Sequence, residues 1–233
     1  MNPTVEVLWN RIAELETDPG FYPEGMCAFP FRLTGQGFFS CGDGLWRDEK
    51  ELGAPSCGVL PVGGIVFLGN DFGTHASFKR LEAEKYEKPR TWLHLRARIT
   101  RAKLPTARVF CTNSILGLRC GEGATALKKS HWQSEPSFLK TCDQFLSFQL
   151  RFLKPKLLVA MGPVAQQRVA SLQQVSKPAE HLVLANKHRI TVHCTTHPYG
   201  DFNGKNFPET RKSADAQALA TAWRSVASVS ENG

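Results

Sequence analysis

Long apolar runs, paired cysteines and internal repeats are all missing from this 233-residue chain. No segment approaches the ~20 consecutive apolar residues that crossing a bilayer demands, so no membrane association is expected. Near the N-terminus, MNPTVEVLWNRIAELE is amphipathic and charged rather than basic and then apolar. That excludes a cleavable signal and predicts a cytoplasmic protein. The seven cysteines, at positions 27, 41, 57, 111, 120, 142 and 194, form no C-x-x-C pair. An odd number of scattered thiols in an unsecreted chain points to reduced cysteines, not to a disulfide framework. Phosphate loops are absent as well: no turn has the G-x-x-x-x-G-K-[ST] spacing, and GNDFG lacks the three glycines of a dinucleotide fingerprint.

What is present is a chain long enough for one sizeable core, with 42% hydrophobic residues and no heptad pattern. Its formal charge of +8 favours a polyanionic partner such as nucleic acid, although many basic proteins bind none. Val5, Leu8, Ile12 and Leu15 fall at helical spacing, which predicts a helix over 4–16 that stops at Asp18-Pro19-Gly20. Residues 21–64 are rich in glycine, proline and aromatics without a sustained period, and read as irregular structure with at most a short hairpin.

Beyond residue 64 the texture changes. Four short β-rich apolar runs, GIVFLG (64–69), ARVFCT (107–112), KLLVAMG (156–162) and RITVHCT (189–195), alternate with helix-like stretches near 91–103, 136–153, 163–175 and 208–226. This alternation predicts a three-layer α/β/α sandwich around a central, mostly parallel four-stranded sheet. The whole chain is expected to form one domain, with residues 1–60 an N-terminal helix and irregular extension and 61–226 the core.

Ligands of open parallel sheets bind beyond the carboxyl ends of the strands. The turns there carry Gly69-Asn70-Asp71-Phe72-Gly73, Asn113 and His197-Pro198. Singly, each has a plain reading: Asp71 as a helix cap, Asn113 as a turn residue, His197 as part of an ordinary loop. Together they place a carboxylate, a carboxamide and an imidazole on one edge of the expected sheet.

In this order the motifs resemble those of the uracil-DNA glycosylase superfamily. GNDFG resembles that family's G-Q-D-P-Y or G-E-A-P-G turn, VFCTN (109–113) its strand ending in Thr-Asn, CDQFLSFQLRFLKPKLLVAMG (142–162) its Cys-led helix and following strand, and Thr196-His197-Pro198 its closing motif. The resemblance spans about residues 60–225. It implies a metal-free, monomeric DNA-base glycosylase of base-excision repair that flips uracil or a related deaminated base out of DNA. Breaking an N-glycosidic bond puts positive charge on the sugar and negative charge on the departing base. Asp71 suits the first charge and can activate water, while His197 can donate to the base oxygen. Asn113 can read O4 and N3–H of uracil, with Gly69, Asn70 and Gly73 around it. The extruded base needs an aromatic face. Aligning the family's P-F-V-G-R-A stretch with TWLHLRA points to Trp92, whereas Phe72 is favoured as pocket lining because it lies within the turn; Phe78 is the third candidate.

The departures matter. Gly73 stands where uracil-specific members carry the Tyr that blocks a thymine methyl, so exclusion of 5-substituted bases is expected to relax. His197-Pro198-Tyr199-Gly200 replaces His-Pro-Ser-Pro-Leu, which leaves Tyr199 or Phe202 to serve as the wedge in the base stack. Some members hold a [4Fe–4S] cluster. Cys120 and Cys142 match two of its ligand positions, but the N-terminal C-x-x-C is replaced by widely spaced Cys27, Cys41 and Cys57, so no cofactor is expected. Arg96, Arg98, Arg101, Lys103, Lys128, Lys129, Lys205, Arg211 and Lys212 are candidates for a DNA-facing rim. Two rival readings keep the fold but change the activity: a non-catalytic or RNA-directed binding module, and a hydrolase of nucleosides or small esters.

Overall fold

A computed structural model describes residues 4–30, 60–83, 90–121, 132–184, 187–198 and 209–228. The first helix, α1 (Val5–Leu15), forms where the apolar spacing predicts it and buries Val5, Leu8, Trp9 and Ile12. The core strands are β2 (Ile65–Gly69), β3 (Val109–Asn113), β5 (Leu157–Met161) and β7 (Arg189–Thr195). They run parallel in the order β3-β2-β5-β7. Between them come α2 (His75–Ala83), α3 (Arg90–Arg101), α4 (Pro136–Leu153) and α5 (Gly162–Gln173), and α6 (Glu209–Ala227) closes the described chain.

The expected four-stranded sheet is corrected in one respect. A fifth strand, β6 (His181–Val183), pairs antiparallel with β7 and makes the sheet mixed. Its three residues are too few to display an alternation, and its hairpin to β7 depends on Lys187 taking a φ of 63°, which no proline or glycine announces. A second small ribbon pairs β1 (Met26–Cys27) with β4 (Leu118–Arg119) and joins the N-terminal segment to the turn after β3.

Strand alternation sorts the apolar residues onto two faces. Ile65, Phe67, Leu157 and Val159 pack with Leu95 and Ile99 of α3 and with Leu219 of α6. Val66, Leu68, Leu158 and Ala160 pack with Leu8 and Ile12 of α1, Leu146 of α4 and Val169 of α5. Helices therefore cover both faces of the sheet, and its carboxyl edge is left to the loops. Among the described residues no helix is long and apolar enough to cross a membrane.

Candidate active site

Strands β2 and β3 end level, with Gly69 opposite Asn113 in the parallel register. Backbone bonds stitch their turns together: Ser114 N–H lies 3.1 Å from both the Gly69 and Asn70 carbonyls, and Ile115 N–H donates to Asn70 O at 2.9 Å. The Ser114 hydroxyl adds a bond to Asn70 O at 3.0 Å. The Asn70-Asp71 segment is thus fixed by its neighbour strand.

Within that segment Asp71 curls back on its own turn, accepting Gly73 N–H on Oδ1 at 2.8 Å. Arg119 approaches from β4, its Nε 3.3 Å from Asp71 Oδ2 in an ion pair that lacks an aligned Nε–H bond among the described residues. Arg119 N–H also donates to Gly73 O at 2.9 Å. Asp71 does not cap α2, because Thr74 Oγ1 accepts the Ser77 N–H at 3.1 Å and does so instead. Two of the roughly four lone-pair positions of the carboxylate are directed by these contacts, which leaves it oriented yet able to accept from water. Gly73 has a φ of 85°, and among the described residues a Cβ there would meet nothing within 4 Å. Only glycine holds that conformation cheaply.

Asn113 is 2% exposed, yet neither Nδ2 nor Oδ1 has a hydrogen-bond partner among the described residues, and Asn70 Oδ1 is in the same condition. A buried carboxamide without partners costs roughly 1–3 kcal/mol of desolvation. Because backbone bonds already hold the turn, Asn113 is not needed to stabilise it. Next to it, Thr112 donates to Gln149 Oε1 at 2.8 Å, and Gln149 Nε2 is likewise without a partner among the described residues. The carboxyl ends of β2 and β3 therefore hold several buried polar atoms suited to a polar, planar ligand.

His197 follows β7, which lies two strands from β2 with β5 between them. At ~4.8 Å per strand that is about 10 Å across the sheet. Two features fix this segment. Gly162, ending the β5 turn with a φ of 83°, comes so close that a Cβ on it would stand 3.1 Å from His197 Cβ. On the other side the Arg98 guanidinium donates from Nη1 to the Thr196 carbonyl at 2.9 Å, while its Nε pairs with Asp215 Oδ2 at 3.1 Å. Asp215 Oδ1 accepts the Thr195 hydroxyl at 2.6 Å. The sequence expectation that Arg98 belongs to a DNA-facing rim is therefore corrected: it is 5% exposed and engaged with Thr196 and Asp215. A second imidazole, His193 on β7, has its pKa lowered by burial, with Asp215 opposing and Arg98 assisting.

The remaining candidates are distributed unevenly. Phe72 is 3% exposed, meets Phe29 edge-on at 4.8 Å and joins the core cluster of α1; Phe78 is buried in the same cluster. Trp92 lies in α3, but its side chain lies outside the described structure, as do Tyr199, Phe202, Lys128, Lys129 and Lys205. A cavity of about 590 Å³ lies between α3 and α6 against Arg101, Lys103, Trp223 and Arg224, away from the strand ends.

For an iron–sulfur cluster, Cys27, Cys120 and Cys142 are relevant, while Cys41 and Cys57 lie outside the described residues. Burial, followed by a bond to Cys120, pushes the Cys27 thiol up to about 12, and burial pushes Cys142 up to about 12. No group of three or more metal-binding side chains forms among the described residues. The described candidates, Cys27, Cys120 and Cys142, are three thiols where such a cluster takes four.

Sequence reasoning singled out the turn at Gly162 without assigning it a role, and missed Arg119 and the true place of Arg98. Gly162 carried a signal, ending an apolar strand just before Pro163. Arg119 carried none, because its approach to Asp71 depends on a single bridge between Thr74 and Arg119. No curated protein matches the chain. A family model described as the uracil DNA glycosylase superfamily matches residues 65–220, more than half of the chain.

Proposed function

The chain belongs to the uracil DNA glycosylase superfamily, and from that membership we propose that it is a DNA-base glycosylase. It hydrolyses the N-glycosidic bond of uracil, or of a related deaminated base, flipped out of DNA, and so initiates base-excision repair. Residues 61–226 form the glycosylase core and residues 1–60 its extension. The observation that carries this reading is Asn113, a buried carboxamide with both polar atoms open among the described residues, in register beside the turn that orients Asp71.

In this reading Asp71 takes a proton from water while the water oxygen bonds to C1′. The C1′–N bond breaks with its electrons passing to the base, and His197 donates to the base oxygen on which the negative charge collects. The carboxylate also faces the positive charge of the sugar. Asn113 pairs with O4 and N3–H of the base. The lack of a side chain at Gly73 supports a pocket that tolerates a 5-methyl group. The deciding measurement is base release from a labelled strand containing uracil. Asp71→Asn should lower turnover by about 100-fold or more, the contribution expected of a positioned base. Full activity in that variant removes Asp71 from its role. A parallel panel of hypoxanthine, xanthine and thymine mismatches identifies the preferred base, and no release from any substrate overturns the glycosylase reading.

A further inference from the structure

We propose that Arg98 and Asp215 form a brace that positions His197, making them positioning residues for the imidazole; the proposal rests on the catalytic reading of His197 given above. The two charged side chains come from helices more than a hundred residues apart in sequence, α3 and α6, and meet on the inner side of the sheet edge. Arg98 uses three nitrogens for three different jobs: Nε faces Asp215 Oδ2 at 3.1 Å, Nη1 donates to Thr196 O at 2.9 Å, and Nη2 lies 3.4 Å from Thr196 Oγ1. Asp215 spends its second oxygen on the Thr195 hydroxyl at 2.6 Å. The pair therefore holds two successive residues, Thr195 and Thr196, immediately before His197.

A buried ion pair on its own contributes little net stability, since desolvation offsets most of the attraction. A planar guanidinium whose fork is divided between a carboxylate and a backbone carbonyl is, however, well suited to fixing geometry. Gly162 limits movement from the opposite side, its missing Cβ being what lets the His197 backbone settle against the β5 turn. Gln166 of α5 adds a bond from Nε2 to Thr195 O at 3.0 Å. The segment carrying the imidazole is thus held by α3, α5 and α6 together, whereas the Asp71 turn is held by β3 and β4. Arg98 and Asp215 also line a groove of about 270 Å³ between α3 and α6, so the brace borders solvent on its outer side.

A double-mutant cycle tests the brace. Arg98→Met should lower kcat on a uracil-containing strand by about 10- to 100-fold with KM nearly unchanged, the scale on which small misplacements act. In a His197→Ala background the same substitution should cost less than about threefold, because the group it positions is already gone. Arg98→Lys should recover part of the loss. Because Arg98→Met leaves the half-buried Asp215 without its cation, Arg98→Met/Asp215→Asn provides the neutral comparison if the single variant folds poorly, and should show the same dependence on His197. Equal losses with and without His197 overturn the proposal and leave Arg98 a purely structural residue. If the wild-type protein releases no base, the brace is read from the imidazole C–H signals of His197 in NMR spectra. One sharp set that broadens or multiplies in Arg98→Met supports it, and an unchanged set refutes it, whatever becomes of the glycosylase reading.

Discussion

At the scale of single residues, Asn113 separates function from stability more cleanly than any other side chain at the strand ends. A group retained for folding would be satisfied by its surroundings, but both of its polar atoms are buried without a partner among the described residues. Removing such a group relieves a desolvation cost of roughly 1–3 kcal/mol and leaves only a small void in exchange. Asn113→Ala should therefore melt within a few degrees of the wild type, or above it, while base release falls by about 10²–10³-fold, the range for losing one aimed donor. Calorimetry and the uracil-strand assay on the same preparation check both halves. A melting temperature lowered by ten degrees or more, with turnover intact, would make Asn113 an ordinary core residue. The candidates Asp71, Asn113 and His197 stood out in the sequence because their types are informative and each follows an apolar run. Arg119 and Arg98 were not, because an arginine looks alike on a rim and in a brace until tertiary contacts assign it. The sequence reading placed Arg98 among the candidates for a DNA-facing rim; its neighbours Thr196 and Asp215 lie about a hundred residues downstream.

At the scale of elements, the four parallel strands and the long helices were legible because short apolar runs alternate with helix-like stretches. The runs at 64–69, 107–112, 156–162 and 189–195 correspond to Ile65–Gly69, Val109–Asn113, Leu157–Met161 and Arg189–Thr195 within one or two residues. Strand β6 and helix α2 escaped for opposite reasons. The first is too short to show a period, and the second, HASFKRLEA, carries a weakly apolar face whose main anchor, Phe78, was weighed as a stacking platform. Helix α1 makes a separate point. It lies outside the matched residues 65–220, yet Leu8 is fully buried in the same cluster as Val66 and Leu158. A Leu→Ala change at such a site costs about 2–5 kcal/mol, and in a chain of this length each kcal/mol moves the midpoint by about 2–4 °C. Leu8→Ala should thus lower the melting temperature by at least about 4 °C, measured by circular dichroism. A change of less than about one degree would mean that α1 is an appendage and that the core is complete without it.

At the scale of the whole molecule, charge governs how a polyanion would bind. The excess of 29 Lys+Arg over 21 Asp+Glu is distributed over a surface from which at least one cation, Arg98, is withdrawn into a buried pair. Others remain at the surface: Arg101, Lys103, Lys212 and Arg224 all border the two grooves between α3 and α6. If the partner is DNA, its phosphates are neutralised by such side chains and condensed counterions are released, so affinity must fall as salt rises. Even three phosphate contacts imply a slope of log K against log salt near −2.7 on duplex DNA, or roughly a 40-fold loss between 50 and 200 mM. The chemical step behaves differently. Asp71 beside Arg119 and Arg98 beside Asp215 are held at short range within largely buried surroundings, where salt screens poorly. Single-turnover rates measured with the enzyme saturating should therefore stay within about twofold over the same interval, while the binding constant, followed by fluorescence anisotropy with a uracil-containing duplex, drops steeply. Affinity that is flat in salt would mean that the basic surplus serves solubility alone and that the molecule recognises its substrate through the pocket without help from the backbone.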